Sequence, residues 1–202
     1  MKKLNILVLA ICLSTQIIAQ DTKTESSGSS SAVLSRMGAY GGVNFANIGG
    51  DQDSYDKSLT GWQLGLMYCM YSSGNLALWA EPGYTSIGSK YSDTYVDGGV
   101  HLGYIQLPII ARFQSQSGLF GDIGLQPQLL VSAKDKFNGG SEDFKDAVNG
   151  FDFGIPIGVG YEYKKKVGLG ARYYWGLTNI AKDSGGDNAF NRVFSIRLHY
   201  RF

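Results

Sequence analysis

From Arg36 to Phe202 the chain falls into eight runs in which apolar and polar side chains alternate, approximately 36–46, 60–71, 75–90, 101–114, 118–133, 149–163, 167–178 and 191–202. A repeat of two residues predicts strands with two different faces. The last run is the clearest: Phe194, Ile196, Leu198, Tyr200 and Phe202 share one face, and Ser195, Arg197, His199 and Arg201 share the other. The seventh sets Val167, Leu169, Ala171, Tyr173, Trp175 and Leu177 against Gly168, Gly170, Arg172, Tyr174 and Gly176. In the sixth, Phe151, Phe153, Ile155, Ile157, Val159, Tyr161 and Tyr163 oppose Asp152, Gly154, Gly158, Gly160 and Glu162.

The connections between runs alternate as strictly as the side chains. Three are tight, at Ser72–Gly74, Ser115–Ser117 and Lys164–Lys166, and four are long and polar, at Asn47–Leu59, Tyr91–Val100, Lys134–Val148 and Asn179–Phe190. An up-and-down barrel in an outer membrane produces this rhythm, because one rim carries short periplasmic turns and the other carries external loops. The pattern predicts an all-β fold, an eight-stranded antiparallel up-and-down transmembrane β-barrel over residues 36–202.

Alternation alone does not say which face points inward, and a soluble ligand-binding barrel would turn its apolar face to the middle. Aromatic residues decide for the reverse. Trp62, Tyr173 and Trp175 fall toward the long-loop rim, and Tyr68, Tyr161, Tyr163, Tyr200 and Phe202 toward the short-turn rim, as in two interfacial girdles. The opposite face is rich in glycine and carries both charge signs. The same parity places Glu81, Arg112, Asp122, Asp152, Glu162, Arg172, Arg197 and Arg201 in the lumen, with Gln63, Gln126, Gln128 and Tyr174 between them. Eight strands enclose only enough space for side chains, and a buried charge without a partner is costly. Four acids and four arginines therefore predict an ion-paired plug.

Upstream of the barrel, Lys2 and Lys3 precede an apolar stretch from Leu4 to Ile18 and then Ala19-Gln20. That is the layout of a secretory signal over residues 1–19, with cleavage after Ala19. The stretch is too short for a confident spanning helix. Cys12 lies within it, but Ile11 stands where a lipidation motif needs a small residue. Residues 20–35 are serine-rich and polar, and are expected to form a flexible periplasmic leader. Removing residues 1–19 takes two of the 18 basic side chains and none of the 17 acidic ones, so the formal charge passes from +1 to slightly negative. This argues against nucleic acid as a partner. Cys69 is then the sole cysteine, and no intramolecular disulfide can form.

Candidate chemistry is sparse. His101 and His199 are the only histidines, and neither sits in a readable arrangement of nucleophile, base and acid. Asp51, Asp53 and Asp56 could offer oxygens to calcium, but their spacing does not match a calcium-binding loop, and a solvated acidic loop is the simpler reading. The third loop mixes both charge signs with Phe137 and Phe144, which makes it the best candidate for contact with a protein partner. The glycine-rich strand segments match no phosphate-binding loop, and Lys164–Lys166 reads as a charged turn beside lipid headgroups. No catalytic, metal-binding or cofactor-binding residue is assigned.

Six segments together carry a family resemblance: GAYGGVNFANI (38–48), YIQLPIIARF (104–113), FGDIGLQPQLLVSAK (120–134), FDFGIPIGVGYEY (151–163), VGLGARYYWGLTNI (167–180) and NRVFSIRLHYRF (191–202). The chain resembles the small Bacteroidota outer-membrane β-barrels of the PorT-like family. The resemblance implies insertion in the outer membrane as a small OmpA-like or OmpX-like barrel, and implies no catalytic residues. Tyr200 and the terminal Phe202 look like the signal read by barrel-insertion machinery. Outer-membrane lipid, that machinery and a protein met by the external loops are the expected partners. The expected role is structural or interactive, with a narrow small-ion channel and a lipid-modifying enzyme as alternatives.

Overall fold

The computed structural model describes residues 36–50, 57–92, 97–137, 140–182 and 188–202. The signal and leader segments, the Asp51, Asp53 and Asp56 cluster, and the tips of the second and fourth loops lie outside the described residues. Eleven strands form: β1 (Met37–Gly50), β2 (Lys57–Ser73), β3 (Leu76–Ala80), β4 (Gly83–Ser92), β5 (Asp97–Gln106), β6 (Ile109–Gln114), β7 (Leu119–Phe137), β8 (Gly140–Asp143), β9 (Phe151–Tyr163), β10 (Val167–Gly176) and β11 (Ala189–Arg201).

The strands make eight staves of one antiparallel ring, because β3 with β4 and β5 with β6 each form a single interrupted stave. The order is β1, β11, β10, β9, β7, β5/β6, β3/β4 and β2. Pairing of β1 with both β11 (Gly38↔Arg201 through Gly50↔Ala189) and β2 (Met37↔Tyr68 through Ala46↔Leu59) closes it. Closure leaves no unpaired edge, which is what a sheet needs to cross hydrocarbon.

Two runs that look continuous in sequence are broken, at Glu81-Pro82 and at Leu107-Pro108. Proline has no N–H for the ladder. Neighbouring backbone covers both breaks: Glu81 N–H donates to Pro108 O at 2.9 Å, Leu66 N–H to Pro82 O at 2.9 Å, and Leu107 N–H to Pro127 O at 3.0 Å. The strands also run further toward the long-loop rim than hydrophobic alternation predicts. Ladder bonds need no apolar side chain, so β1 continues to Gly50 and β2 starts at Lys57. In the third loop β8 folds back on the end of β7, with Lys134 opposite Asp143, and a 3-10 turn follows at Lys145–Ala147.

The apolar face points outward. Val159 is 66% exposed, Leu169 58% and Leu198 57%, while Glu81 and Asp152 are fully buried. A water-soluble barrel would show the reverse. Aromatic pairs mark both rims, with Phe45–Phe194, Trp62–Tyr84 and Tyr173–Trp175 at one and Tyr200–Phe202 at the other. No helix among the described residues is long and apolar enough to cross a membrane.

The short turns need left-handed backbone. Gly74 (φ 56°) and Gly118 (φ 96°) supply it in two of them, but in the β9–β10 turn it falls on Lys164 (φ 50°) and Lys165 (φ 57°). A tight hairpin turn of this kind favours Asn-Gly, and a side chain at such φ values costs on the order of 1 kcal/mol. The double substitution Lys164→Asn, Lys165→Gly is therefore expected to stabilise the barrel by about 1–2 kcal/mol. An upward shift of the urea midpoint for unfolding from lipid vesicles would register it, and an unchanged or lower midpoint would contradict it.

Candidate functional site

The lumen divides into a charged half toward the short turns and an apolar half toward the loops. Parity along each strand sets the charged half. Arg112 on β6 and Asp122 on β7 are directly opposite in register and meet through two bonds, Nε to Oδ1 at 2.8 Å and Nη2 to Oδ2 at 3.0 Å. Arg172 on β10 joins Asp122 at 2.8 Å to Glu81 at 2.7 Å. Its stave lies across the ring from the β3/β4 stave, so this one side chain ties opposite walls together. Arg197 on β11 reaches the same Glu81 oxygen at 2.8 Å. The Glu81-Pro82 break thus sits where one carboxylate receives two guanidinium groups.

A second cluster lies nearer the short turns. Glu162 accepts from Arg201 at 3.1 Å and from Gln114 at 3.1 Å, and lies 2.9 Å from His199 Nε2. Arg112 is within 3.6 Å and links the two clusters. Ring faces cover the cations: the Arg112 guanidinium lies 3.9 Å from the Phe120 centroid, and that of Arg197 lies 4.0 Å from Tyr40, a desolvated cation–π geometry. The wall makes room by omission. A Cβ at Gly168 would lie 2.2 Å from the His199 ring, and one at Gly160 would lie 2.4 Å from Phe120.

Above the charges runs a belt of neutral polar groups. Gln106 donates to the Tyr40 hydroxyl, Gln126 to Gln106 and to Gln128, and Gln128 to Asp152 at 2.7 Å. Asn191 donates to the same Asp152 oxygen at 2.7 Å. Asp152 therefore departs from the expected pairing of four acids with four arginines. The side chains that donate to it are the amides of Gln128 and Asn191, and the Tyr174 hydroxyl lies beside it. Tyr174 also lines a cavity of about 20 Å³ with Gln63, Gln106, Gln126 and Gln128, a volume suited to a water molecule.

The loop-side half is apolar, which alternation by itself does not announce. Ala46, Ile48, Ile87, Val100, Leu102, Leu130, Ala133 and Val193 pack there with Tyr104, Tyr174 and Ile180. Phe144 and Val148 of the third loop pack onto them. Within the third loop, the candidate for partner contact, Phe144 is partly buried against this internal cluster. The cap is fastened by a bridge between Val148 and Ala181, by Asn149 N–H to Ile180 O at 2.8 Å, and by Asn179 Oδ1 accepting from Ala181 and Ala189. Among the described residues no group of three or more histidine, cysteine, aspartate or glutamate side chains could hold a metal. His101 lies in β5 opposite Gly88, far along the chain fold from His199 on β11.

A closed ring with an apolar exterior, aromatic rims and charges within is the build of an integral membrane β-barrel, not of a soluble binding barrel. The chain belongs to the outer membrane protein beta-barrel domain family, whose pattern it matches over residues 19–182, and its place is the outer membrane. Among solved structures it is similar to Neisserial surface protein A, at 19% identity and TM-score 0.57, with 83% of this chain and 98% of that one aligned. The attachment invasion locus protein Ail of Yersinia pestis aligns at 17% identity and TM-score 0.48, over 82% of this chain and 97% of Ail. OprG from Pseudomonas aeruginosa aligns at 13% identity and TM-score 0.41, over 82% and 95%. The likeness to Neisserial surface protein A speaks to the fold alone. No curated protein sequence matches the chain.

Removing one partner of a buried ion pair leaves the other charge uncompensated, at about 3–5 kcal/mol. Glu81→Gln, which takes the carboxylate from both Arg172 and Arg197, is expected to cost that much. Asp152→Asn, at a carboxylate held by amides, is expected to change stability by less than about 1 kcal/mol. Urea unfolding of both variants checks the pair, and equal losses would contradict the assignment.

Proposed function

We propose that the protein is a closed outer-membrane barrel that acts as a structural or interaction module, with its external loops as the working surface. The observation that carries this reading is closure at both levels of the lumen: an ion-paired network below and an apolar cluster capped by Ile180, Phe144 and Val148 above. With lipid on the outside and a lumen filled by side chains among the described residues, the loop surface is what the barrel offers to other molecules. Ion pairs spanning opposite walls serve to hold the ring shape.

The finer assignments belong to the same proposal. Residues 1–19 act as a cleaved export signal, residues 20–35 form a periplasmic leader, and residues 36–202 make the barrel. Tyr200 near the end of β11 and Phe202 just beyond it, with ring centroids 5.9 Å apart, suit the insertion signal. The resemblance of the six segments supports reading the barrel as one of the PorT-like type. Glu81, Arg112, Asp122, Asp152, Glu162, Arg172, Arg197 and Arg201 are structural, and the barrel has no catalytic activity. His199 supports this: its ring is buried and bonded to Glu162, not presented to a substrate.

Two measurements test the proposal. In planar lipid bilayers the protein is expected to give no steady conductance, and a stable open level abolished by substitution at Arg172 would favour the ion-channel reading. Mild-detergent purification from native outer membranes is expected to retain a specific protein, and shortening the third loop at residues 138–143 is expected to release it while the barrel stays folded. Reproducible recovery of the barrel with lipid alone would contradict the interaction role.

A further inference from the structure

Charge is spread unevenly around the short-turn rim. Residues 72–75 and 115–118, which make two of the turns, carry no charged side chain, whereas the third turn is Lys164-Lys165-Lys166. All three lysines are exposed, as is Arg36 just before β1. Backbone bonds set these positions on neighbouring staves: Arg201 N–H donates to Lys166 O at 2.7 Å, and Phe202 N–H to Met37 O at 3.0 Å. A basic patch thus runs from the β9–β10 turn past the end of β11 to the start of β1. The carboxylate nearest the turn, Glu162, is buried and already engaged by Arg201, His199 and Gln114.

The lumen adds to the same sign. In its ion-paired half four guanidinium groups, on Arg112, Arg172, Arg197 and Arg201, meet three carboxylates, on Glu81, Asp122 and Glu162. The fourth acid, Asp152, is held by amides in the belt above. One positive charge is left over, and Arg201, with its side chain 22% exposed, stands closest to the rim.

The turn holds its lysines at a cost. Lys164 and Lys165 have φ of 50° and 57°, values that suit Asn-Gly and disfavour a residue with a β-carbon. The backbone gives lysine no advantage at either position, so what lysine contributes there is its ammonium group; strain kept at a position points to a use for the side chain. The geometry shows where one of these groups lies. Lys164 Nζ is 5.2 Å from the centroid of the Tyr163 ring, and Tyr163 is 56% exposed on the lipid-facing side of β9. Register sets Tyr163 and Tyr200 on either side of Val167. The ammonium is therefore laid against the interfacial aromatic girdle, at the depth of lipid headgroups. In outer-membrane barrels the short turns lie on the periplasmic side, so these headgroups belong to the inner leaflet. Toward the bilayer centre the same surface continues through Leu169 and Leu198, opposite each other in register and both exposed.

We propose that Lys164, Lys165 and Lys166, with Arg36 at the edge of the patch, bind the phosphate of an anionic phospholipid in the inner leaflet. The phosphate meets the ammonium groups, and the acyl chains lie along the apolar surface of Leu169 and Leu198. Free phosphate shares the headgroup chemistry but has no chains to place there. The site is at the end of the barrel opposite the external loops and stands whether or not those loops hold a protein partner.

Native mass spectrometry of the full barrel, released from micelles holding equimolar phosphatidylglycerol and phosphatidylcholine with the same acyl chains, reads which lipid stays bound. A basic side chain beside an anionic headgroup is worth roughly fivefold in association. Wild-type protein is accordingly expected to keep phosphatidylglycerol over phosphatidylcholine by about fivefold or more. The triple variant Lys164→Gln, Lys165→Gln, Lys166→Gln keeps a side chain at each strained position and removes the charge, and is expected to bring the ratio to within about twofold of parity. Its changes lie in an exposed turn, and heat-modified electrophoretic migration is expected to show it folded. Inorganic phosphate added at constant ionic strength is expected to leave the wild-type preference intact. Loss of bound lipid with a phosphate adduct in its place would make free phosphate the ligand and overturn the lipid assignment. Equal retention of the two lipids by wild-type protein, or a preference that the folded triple variant keeps, would overturn the site.

Discussion

Hydrocarbon offers no hydrogen bonds, and every other feature of this barrel follows from that constraint. A sheet that crosses a bilayer has to satisfy its own backbone, so it closes, and β1 pairs with β11 on one side and β2 on the other. Closure at eight staves fixes a narrow lumen. A narrow lumen lined by every second residue then forces each inward side chain to find a partner inside. The positions where the ladder is irregular show how strongly the rule holds: neighbouring backbone covers the Glu81-Pro82 and Leu107-Pro108 breaks, and at the register shift between β2 and β4 the Asn44 amide donates to Trp62 O and Ser86 O.

The two halves of the lumen meet the demand differently. Below, Arg172 bridges Asp122 and Glu81, so that carboxylates and guanidinium groups neutralise one another across the ring. Buried pairs of this kind rarely add net stability over apolar packing, but they penalise any register that would separate them. Above, apolar side chains fill the space and the third and fourth loops close over them. The Gln106–Gln126–Gln128 belt lies between, where amides can bond to either neighbour. Asp152, at the upper edge of that belt, is held by amides and not by a guanidinium.

Much of this was legible in sequence because a period of two leaves little freedom. Once Phe194, Ile196 and Leu198 face lipid, Arg197 and His199 face the lumen, and the alternation of short and long connections gives the strand count. Three things were hidden. The continuity of 75–90 and 101–114 in hydropathy conceals the proline breaks, because alternation records faces and not ladder bonds. The partner of Asp152 depends on how far each staggered stave is shifted along its neighbours, which parity does not encode. The apolar half of the lumen escapes notice because Ala46, Ile87 and Leu102 look like ordinary strand residues until the inward parity of β1, β4 and β5 is carried to their loop ends.

The three tryptophans allow the central claim, that the apolar face meets lipid and the polar face fills the lumen, to be tested directly. Trp62 and Trp175 are 49% and 53% exposed on the outer face, and Trp79 is 2% exposed inside. Single-tryptophan variants, with phenylalanine at the other two positions, can be inserted in vesicles whose acyl chains carry bromine and titrated with aqueous iodide. The account predicts strong bromolipid quenching of Trp62 and Trp175, and little quenching of Trp79 by either agent. Quenching of Trp62 and Trp175 by iodide but not by bromolipid would place the apolar face away from the bilayer and contradict it.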